Sequence, residues 1–327
     1  MFEHLKKIGA ERHKDAIAAL ALVCLAFCIR ILFISKGPLH FDALELAMRG
    51  SETQETLQLH YMHWPGYPLA VIIASIFIFL MKLIKMHDPV FAVNFMSVIF
   101  GSFTIGIFYL FARKMLDRYG ALLASVMLCF LPLHFSLSLY GMSHTLSIAM
   151  YLTGVYFMIL YLETYRLNIL LFSAMILGCG AAVRINDSTV LLAVLFLYLI
   201  KSHKAGLISK KSIFCRLLLF LTVYTLTIVV FYLPLLFQKG LFHFADGSTY
   251  WYQHNIGVLF FVVRYIIPEV LSMPGTMILF AGVGYFLLKG SKVFFYFLLM
   301  WFLSSFCYYA SCNTYQYRYL LLSFIPL

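Results

Sequence analysis

Two carboxylates follow the first long apolar run of the chain. Asp42 and Glu45 lie three residues apart in Leu39–Ala47, in a sequence with only 13 acidic residues. At this spacing they share one face if the segment is helical. A carboxylate in this position can act as a general base toward an acceptor hydroxyl or amide. The alternative is a solvated amphipathic turn that continues into Glu52 and Glu55, and the sequence leaves Glu45 open to either interpretation.

A turn rich in proline and aromatic residues comes next, in His60–Pro68. Two prolines and a glycine in four positions force an irregular backbone. His63 and Tyr67 flank this turn and could bind a phosphate group. A divalent metal ion held by Asp42, His63 and His254 is a second possibility, although their spacing matches no established zinc motif.

Arginines mark the ends of later apolar runs. Arg184 follows the run 168–183, and Arg318 precedes the last run of the chain. An arginine at a helix end can snorkel to water or bind an anionic headgroup, and both residues allow either role. His254 could close a site from its loop or sit in an aromatic belt. Arg30 lies within the first run, where a charge should face the bundle interior or a water-filled cavity.

The elements that must position these side chains are membrane helices. Of the 327 residues, 63% are hydrophobic and 11% are charged, whereas ordinary soluble domains have about 25% charged residues. Long apolar runs recur and short alternating segments do not, so the sequence predicts an all-α polytopic membrane protein and not a β-barrel. The net charge of +11 reflects Lys and Arg clustered in loops, which act as topology signals. We therefore expect no nucleic-acid partner.

The apolar runs predict about nine to ten transmembrane helices. They fall at about 17–35, 66–81, 89–111, 120–139, 145–162, 168–183, 187–200, 217–237, 273–288 and 293–312, with another from Tyr319. Basic residues place both the N-terminus and the segment 201–216 in the cytoplasm, which requires an even number of crossings between them. The short run 66–81, which follows the proline turn, is the one expected not to cross.

This topology gives two outer loops, at about 37–88 and 238–272. The run 66–81 becomes an outer-side juxtamembrane helix, and nearly all unusual polar residues lie on the outer face. We therefore expect a multi-pass integral membrane protein whose active site lies on the outer face. In a prokaryote it would lie in the cell membrane.

In this order, the landmarks resemble those of the GT-C integral-membrane glycosyltransferases, above all the protein O-mannosyltransferases and lipid A aminoarabinose transferases. Asp42 matches the essential acid of the first outer loop in that family, and His63-Trp-Pro-Gly-Tyr-Pro68 matches its His/Lys-Pro-Pro-like turn. Arg318-Tyr-Leu-Leu-Leu matches a late span that opens Arg-Tyr-Leu-Leu-Pro. The chain departs from the family at Ala43, where a second acid is usual, and at His144, which often is an acid. The resemblance covers essentially residues 1–327, as one transferase domain.

The resemblance implies a reaction and roles for the site residues. A sugar would pass from a dolichyl- or undecaprenyl-phosphate donor to a glycan, lipid or protein acceptor, with inversion at the anomeric carbon. Asp42 would activate the acceptor, with Glu45 as the second catalytic candidate. The candidate groups for the lipid phosphate are His63, Tyr67, Arg184, His254 and Arg318.

Two other functions use similar features. An O-antigen ligase or polymerase also consumes lipid-linked sugars, but such proteins usually carry their key residues in a large late outer loop, whereas here the longest outer loop comes first. A transporter would show internal repeats and broken helices at the membrane midplane, and the sequence shows no repeat. A transferase would consume the lipid-linked sugar, whereas a transporter would only move it across the membrane.

Overall fold

The structure is a computed structural model that describes residues 2–205, 209–240, 290–310 and 321–326, with isolated positions at 257, 260, 264, 282, 284, 288 and 318. All regular secondary structure in these residues is helical. The helices are α1 (Phe2–Leu32), α2 (Phe41–Thr56), α3 (Pro68–Leu83), α4 (Pro89–Ala112), α5 (Arg118–Phe130), α6 (Pro132–Leu137), α7 (Ser143–Thr164), α8 (Leu167–Val183), a 3₁₀ helix (Ile185–Thr189), α9 (Val190–Ala205), α10 (Lys210–Lys239), α11 (Lys292–Ala310) and α12 (Leu321–Phe324).

Six segments within the described residues are long and apolar enough to cross a membrane. They are His13–Leu32, Pro89–Ala112, Ser143–Thr164, Ile185–His203, Lys211–Lys239 and Lys292–Ala310. Three shorter apolar helices, α3, α5 and α8, accompany them. The expected span 273–288 lies almost wholly outside the described residues.

Short polar side chains set where several helices begin. Asp88 accepts a hydrogen bond from the N–H of Val90 at the start of α4, and Pro89 takes the first helical position. Asp117 caps α5 and Ser209 caps α10 in the same way. These caps satisfy N–H groups that have no partner within the helix. The polar residues between the apolar runs therefore define the turns of the bundle.

One end of the bundle is held by polar contacts between helix ends. Asp15 in α1 accepts hydrogen bonds from Tyr109 Oη at 2.9 Å and from Arg113 Nε at 3.0 Å. Lys114, just after α4, pairs with Glu163 near the end of α7 at 2.7 Å. We call this end the basic face.

The other end of the bundle, which we call the site face, joins different helix termini. The N–H of Ser35, after α1, donates to the carbonyl of Leu139 at 2.9 Å. Asn94, in the second turn of α4, donates to the Ser35 carbonyl at 2.9 Å and accepts from the Gly141 N–H at 2.7 Å. The ends of α1 and α6 and the start of α4 therefore meet here.

Helix α3 keeps both ends at the site face. It packs against α2, with Gly50 of α2 opposite Ala74 and Ile78 of α3. At the far end of the pair, Lys82 of α3 lies 3.3 Å from Glu55 of α2, and α4 begins a few residues later at the same face. This arrangement agrees with the expectation that residues 66–81 do not cross the membrane.

The expected span 120–139 is divided in two, because Pro132 cannot donate the hydrogen bond that would continue α5. Arg30 of α1 is fully buried at this break. Its guanidinium donates to the Cys129 carbonyl at 3.1 Å and lies 3.1 Å from His134 Nδ1. The expectation that Arg30 faces the bundle interior is therefore confirmed, and its side chain satisfies polar groups that the helix break exposes.

Candidate active site

The proline turn between α2 and α3 brings two aromatic rings together. Its backbone turns through a cis peptide bond at Trp64–Pro65 and through left-handed conformations at Gly66 (φ 107°) and Tyr67 (φ 50°). The N–H of Gly66 donates to the His63 carbonyl at 2.9 Å. As a result the rings of His63 and Tyr67 meet edge to face, with centroids 5.4 Å apart.

Glu45 of α2 holds His63 by two contacts. One carboxylate oxygen accepts the backbone N–H of His63 at 2.8 Å, and the other lies 2.5 Å from His63 Nδ1. Burial alone would raise the pKa of Glu45, but the hydrogen bonds and charge of His63, with a smaller contribution from Arg49, bring that pKa below its usual value. Glu45 is therefore ionised near neutral pH, and it fixes the orientation of the imidazole ring.

Asp42 occupies the turn of α2 before Glu45 and pairs with Arg318. The Arg318 Nη2 atom lies 2.9 Å from Asp42 Oδ2. The side chain of Arg318 is only 8% exposed and that of Asp42 is 19% exposed. The first catalytic candidate and the last arginine of the chain thus form one ion pair.

His40 completes this pair and was not identified from the sequence. Its Nδ1 accepts the N–H of Asp42 at 3.0 Å and caps α2, and its ring nitrogens lie 2.9 Å from Arg318 Nη1. Burial lowers the pKa of His40, Arg318 lowers it further, and Asp42 offsets these effects in part. The neutral ring is therefore favoured beside Arg318. The signal in the sequence was a polar residue directly before a helical start.

Arg184 lies in a second ion pair at the same face. It is 2% exposed, and its Nε atom lies 3.3 Å from Asp187 Oδ2. Its Nη1 atom donates to Ser143 Oγ at 3.3 Å, and its guanidinium carbon lies 5.6 Å from the Tyr67 ring centroid. Tyr67 therefore links Arg184 to His63.

Asp187 anchors Arg184 to two other helices. Its carboxylate accepts hydrogen bonds from Ser147 of α7 and from Tyr309 of α11. The pairing was not predicted, because these partners are far apart in the sequence and Tyr309 looks like an ordinary aromatic residue of a span. The contacts fix the position of a charge that is almost fully buried.

A polar cavity of about 560 Å³ opens beside the Glu45–His63 pair. Its lining comes from α2, the proline turn and the end of α10: Glu45, Arg49, Gln58, Leu59, His60, Tyr61, Met62, His63, Trp64, Leu235, Gln238 and Lys239. This volume is within the range of small-molecule sites. Asp42 and the two buried arginines lie outside the lining, so the site has two neighbouring compartments.

Comparison with known proteins identifies the family. A family model described as dolichyl-phosphate-mannose-protein mannosyltransferase matches residues 65–232, about half of the chain. The chain belongs to this family. The matched segment includes Tyr67 and Arg184, whereas Asp42, Glu45, His63 and Arg318 lie outside it.

A solved structure extends the likeness in fold across the family segment and beyond it. The crystal structure of ArnT from Cupriavidus metallidurans, bound to undecaprenyl phosphate, superimposes with a TM-score of 0.71 at 13% sequence identity. The superposition covers 95% of this chain and 57% of the ArnT chain, so this chain spans little more than half the length of ArnT. The GT-C fold expected from the sequence is therefore confirmed. No curated protein matches the chain.

The structure gathers six of the seven predicted donor-site and catalytic residues of this family member on the site face. They are Asp42, Glu45, His63, Tyr67, Arg184 and Arg318. The seventh, His254, lies outside the described residues. The placement of these residues follows the expectation, while their individual roles remain predictions.

The divalent metal site considered from the sequence gains no support in the part of the chain described. Asp42 pairs with Arg318 and His63 pairs with Glu45. Among the described residues, no group of three His, Cys, Asp or Glu side chains could hold a metal ion. We therefore derive no step through a metal.

Proposed function

We propose that this protein transfers a sugar from a polyprenyl-phosphate donor to an acceptor at the site face, with inversion at the anomeric carbon. The family description names a dolichyl-phosphate sugar, and the ArnT structure contains undecaprenyl phosphate. Both are polyprenyl phosphates, so the proposal concerns that class of carrier. The acceptor is a glycan, a lipid or a protein.

The observation that carries this proposal is the pair of buried arginines at one face of a membrane bundle. Arg184 and Arg318 are 2% and 8% exposed, and each is held by a carboxylate, Asp187 or Asp42. Buried guanidinium groups bind phosphate strongly, because their hydrogen bonds are charge-assisted and little screened by water. An anionic headgroup at this face would meet two such groups already in position.

The chemistry needs positive charge at the leaving group. The acceptor oxygen attacks the anomeric carbon, the bond from that carbon to the phosphate oxygen breaks, and the polyprenyl phosphate leaves with the electron pair. Positive groups near that oxygen stabilise the charge that develops in the transition state. Arg318 and Arg184 are the candidates for this role, and the Tyr67 ring contacts both Arg184 and His63.

Deprotonation of the acceptor needs a base near the same place. Asp42 and Glu45, the two candidates from the sequence, lie within one turn of α2, and both have side chains less than one-fifth exposed. A positioned base typically contributes about 10²–10⁴-fold to a rate. The two carboxylates have different partners, Arg318 for Asp42 and His63 for Glu45.

The family assignment favours transfer over transport or over an O-antigen ligase. The polar groups described here also lie at one end of the bundle, whereas transporters bind near the membrane midplane. The experiment is reconstitution in liposomes with a panel of polyprenyl-phosphate sugars and a membrane extract as acceptor. Mass spectrometry should find free polyprenyl phosphate and sugar-bearing acceptor in equal amounts.

The matched variants are Arg318→Gln at the site face and Lys201→Gln at the basic face. We expect Arg318→Gln to lower kcat/KM by about a hundredfold or more, on the scale of losing one donor to a developing oxyanion. Lys201→Gln should transfer normally. Donor that crosses the liposome membrane intact would contradict the proposal.

A further inference from the structure

The contacts of His63 define which of its ring nitrogens can react. Glu45 is ionised, so its carboxylate can only accept hydrogen bonds. The contact of 2.5 Å between Glu45 Oε2 and His63 Nδ1 therefore places a proton on Nδ1. In the neutral ring, Nε2 then carries the lone pair.

His63 Nε2 faces no protein partner among the described residues. The side chain is 34% exposed, and His63 lines the polar cavity of about 560 Å³. A histidine oriented by a carboxylate on one nitrogen, with a lone pair on the other, is the arrangement that activates hydroxyl nucleophiles in unrelated enzymes. The ring is thus prepared to accept a proton from a molecule in the cavity.

We propose that the cavity binds the hydroxyl-bearing end of the acceptor and that His63, oriented by Glu45, takes the acceptor's proton. The inference rests on the proposed function and names the acid–base group of the same site. His63 is the catalytic residue in this account, and Glu45 is a positioning residue. Asp42 instead forms an ion pair with Arg318.

The partners of Asp42 explain this choice between the carboxylates. Asp42 pairs with Arg318 at 2.9 Å, so a guanidinium already occupies its carboxylate. Asp42 also lies outside the cavity lining. The sequence favoured Asp42 because it is the first acid after α1, but only the fold shows that its charge is already engaged.

The cavity lining indicates a polar acceptor. Nine of its twelve residues have side chains that can form hydrogen bonds, and three, Leu59, Met62 and Leu235, do not. An alkyl chain in this space would leave polar groups without partners, which is costly. Burial raises the pKa of Tyr61 to about 12, so its hydroxyl stays protonated and does not compete as a base.

The proposed step balances. The acceptor's O–H bond breaks and its proton passes to His63 Nε2. The acceptor oxygen forms a bond to the anomeric carbon, and the bond from that carbon to the phosphate oxygen breaks. The polyprenyl phosphate takes the electron pair, and the imidazolium beside Glu45 releases its proton to water after the product leaves.

The test measures kcat and KM for transfer in liposomes, with binding of undecaprenyl phosphate measured separately. His63→Asn should lower kcat by about a hundredfold or more and leave that binding within about twofold. Glu45→Gln should lower kcat and leave the binding of undecaprenyl phosphate within about twofold, and Glu45→Asp, which keeps the carboxylate, should recover part of the rate. Glu55→Gln, on the exposed side of the same helix, should match the wild type.

Each result decides the inference. Release of polyprenyl phosphate by the wild type first establishes the proposed function. The inference is then wrong if His63→Asn transfers normally, or if it loses lipid binding as much as rate, which would assign His63 to the phosphate. It is also wrong if Glu45→Gln transfers at the wild-type rate, or if it loses lipid binding as much as rate.

Discussion

Arg318 and Asp42 form an ion pair of 2.9 Å between α2 and the last part of the chain. The guanidinium is therefore already neutralised before a donor binds. A lipid phosphate that reaches Arg318 must compete with this carboxylate or share the guanidinium with it.

This competition predicts an unusual gain of binding. Asp42→Asn removes a negative charge beside the phosphate site and leaves Arg318 available. Undecaprenyl phosphate should then bind about tenfold more tightly, a change of about 1.4 kcal/mol. The measurement is equilibrium binding in detergent, with Glu55→Gln as the control that should not change. Weaker binding in Asp42→Asn would show that Asp42 positions Arg318 more than it competes with the lipid.

The Arg184–Asp187 pair predicts a stability effect. Asp187 is 4% exposed and Arg184 is 2% exposed, so Asp187→Asn leaves a buried guanidinium without its counter-charge. Loss of one partner of a buried pair costs about 3–5 kcal/mol. In detergent, the midpoint temperature of thermal unfolding should be much lower for Asp187→Asn than for the wild type.

Glu163→Gln provides the comparison for that experiment. Glu163 pairs with Lys114 at 2.7 Å, but its side chain is 46% exposed. Exposed pairs contribute less than about 1 kcal/mol, so the midpoint should barely move. Equal effects in the two variants would show that Asp187 does not neutralise Arg184.

His40 predicts a loss of stability in mild acid. Its pKa is lowered from 6.5 in the folded protein by burial and by Arg318. Below pH 6.5 the unfolded chain therefore binds a proton that the folded chain resists, and stability falls as the pH decreases through this window. The free energy of unfolding should differ less between pH 7 and pH 5 in His40→Asn than in the wild type. His87→Asn, an exposed control, should keep the full difference.

Labelling can test the sidedness of the bundle. Single cysteines at Leu57 and Tyr119, in a cysteine-free background, probe the site face and the basic face, and the two native residues are 90% and 80% exposed. An impermeant thiol reagent on intact cells should label position 57, and position 119 only after permeabilisation. Labelling of position 119 from outside would reverse the predicted orientation.

The sequence was sufficient to name the residues of the candidate site but not their pairings. Loops after apolar runs must carry the polar chemistry of a membrane protein, so Asp42, Arg184 and Arg318 could be found one at a time. Their partners depend on which helix ends meet, and no local pattern encodes the distance from Arg318 to Asp42. The same limit applies to Glu45 and His63, which were assigned separately to catalysis and to phosphate binding.

The fold was predictable wherever one physical rule dominated. Apolar length predicted the helices, and the short run 66–81 forms the 16-residue helix α3. The break between α5 and α6 was missed although Pro132 marks it, because the apolar run continues on both sides. The contacts of Arg30 at that break could not be predicted, because they depend on α5 and α6 packing against α1.

Phosphorus NMR of a single turnover tests the central claim most directly. A polyprenyl-phosphate sugar is a phosphodiester, and polyprenyl phosphate is a monoester with a distinct ³¹P signal. With acceptor present, wild-type protein in liposomes should convert the diester signal into the monoester signal, whereas Arg318→Gln should do so about a hundredfold more slowly. A diester signal that persists in the wild type for every polyprenyl-phosphate sugar offered, with acceptor present, would contradict the account.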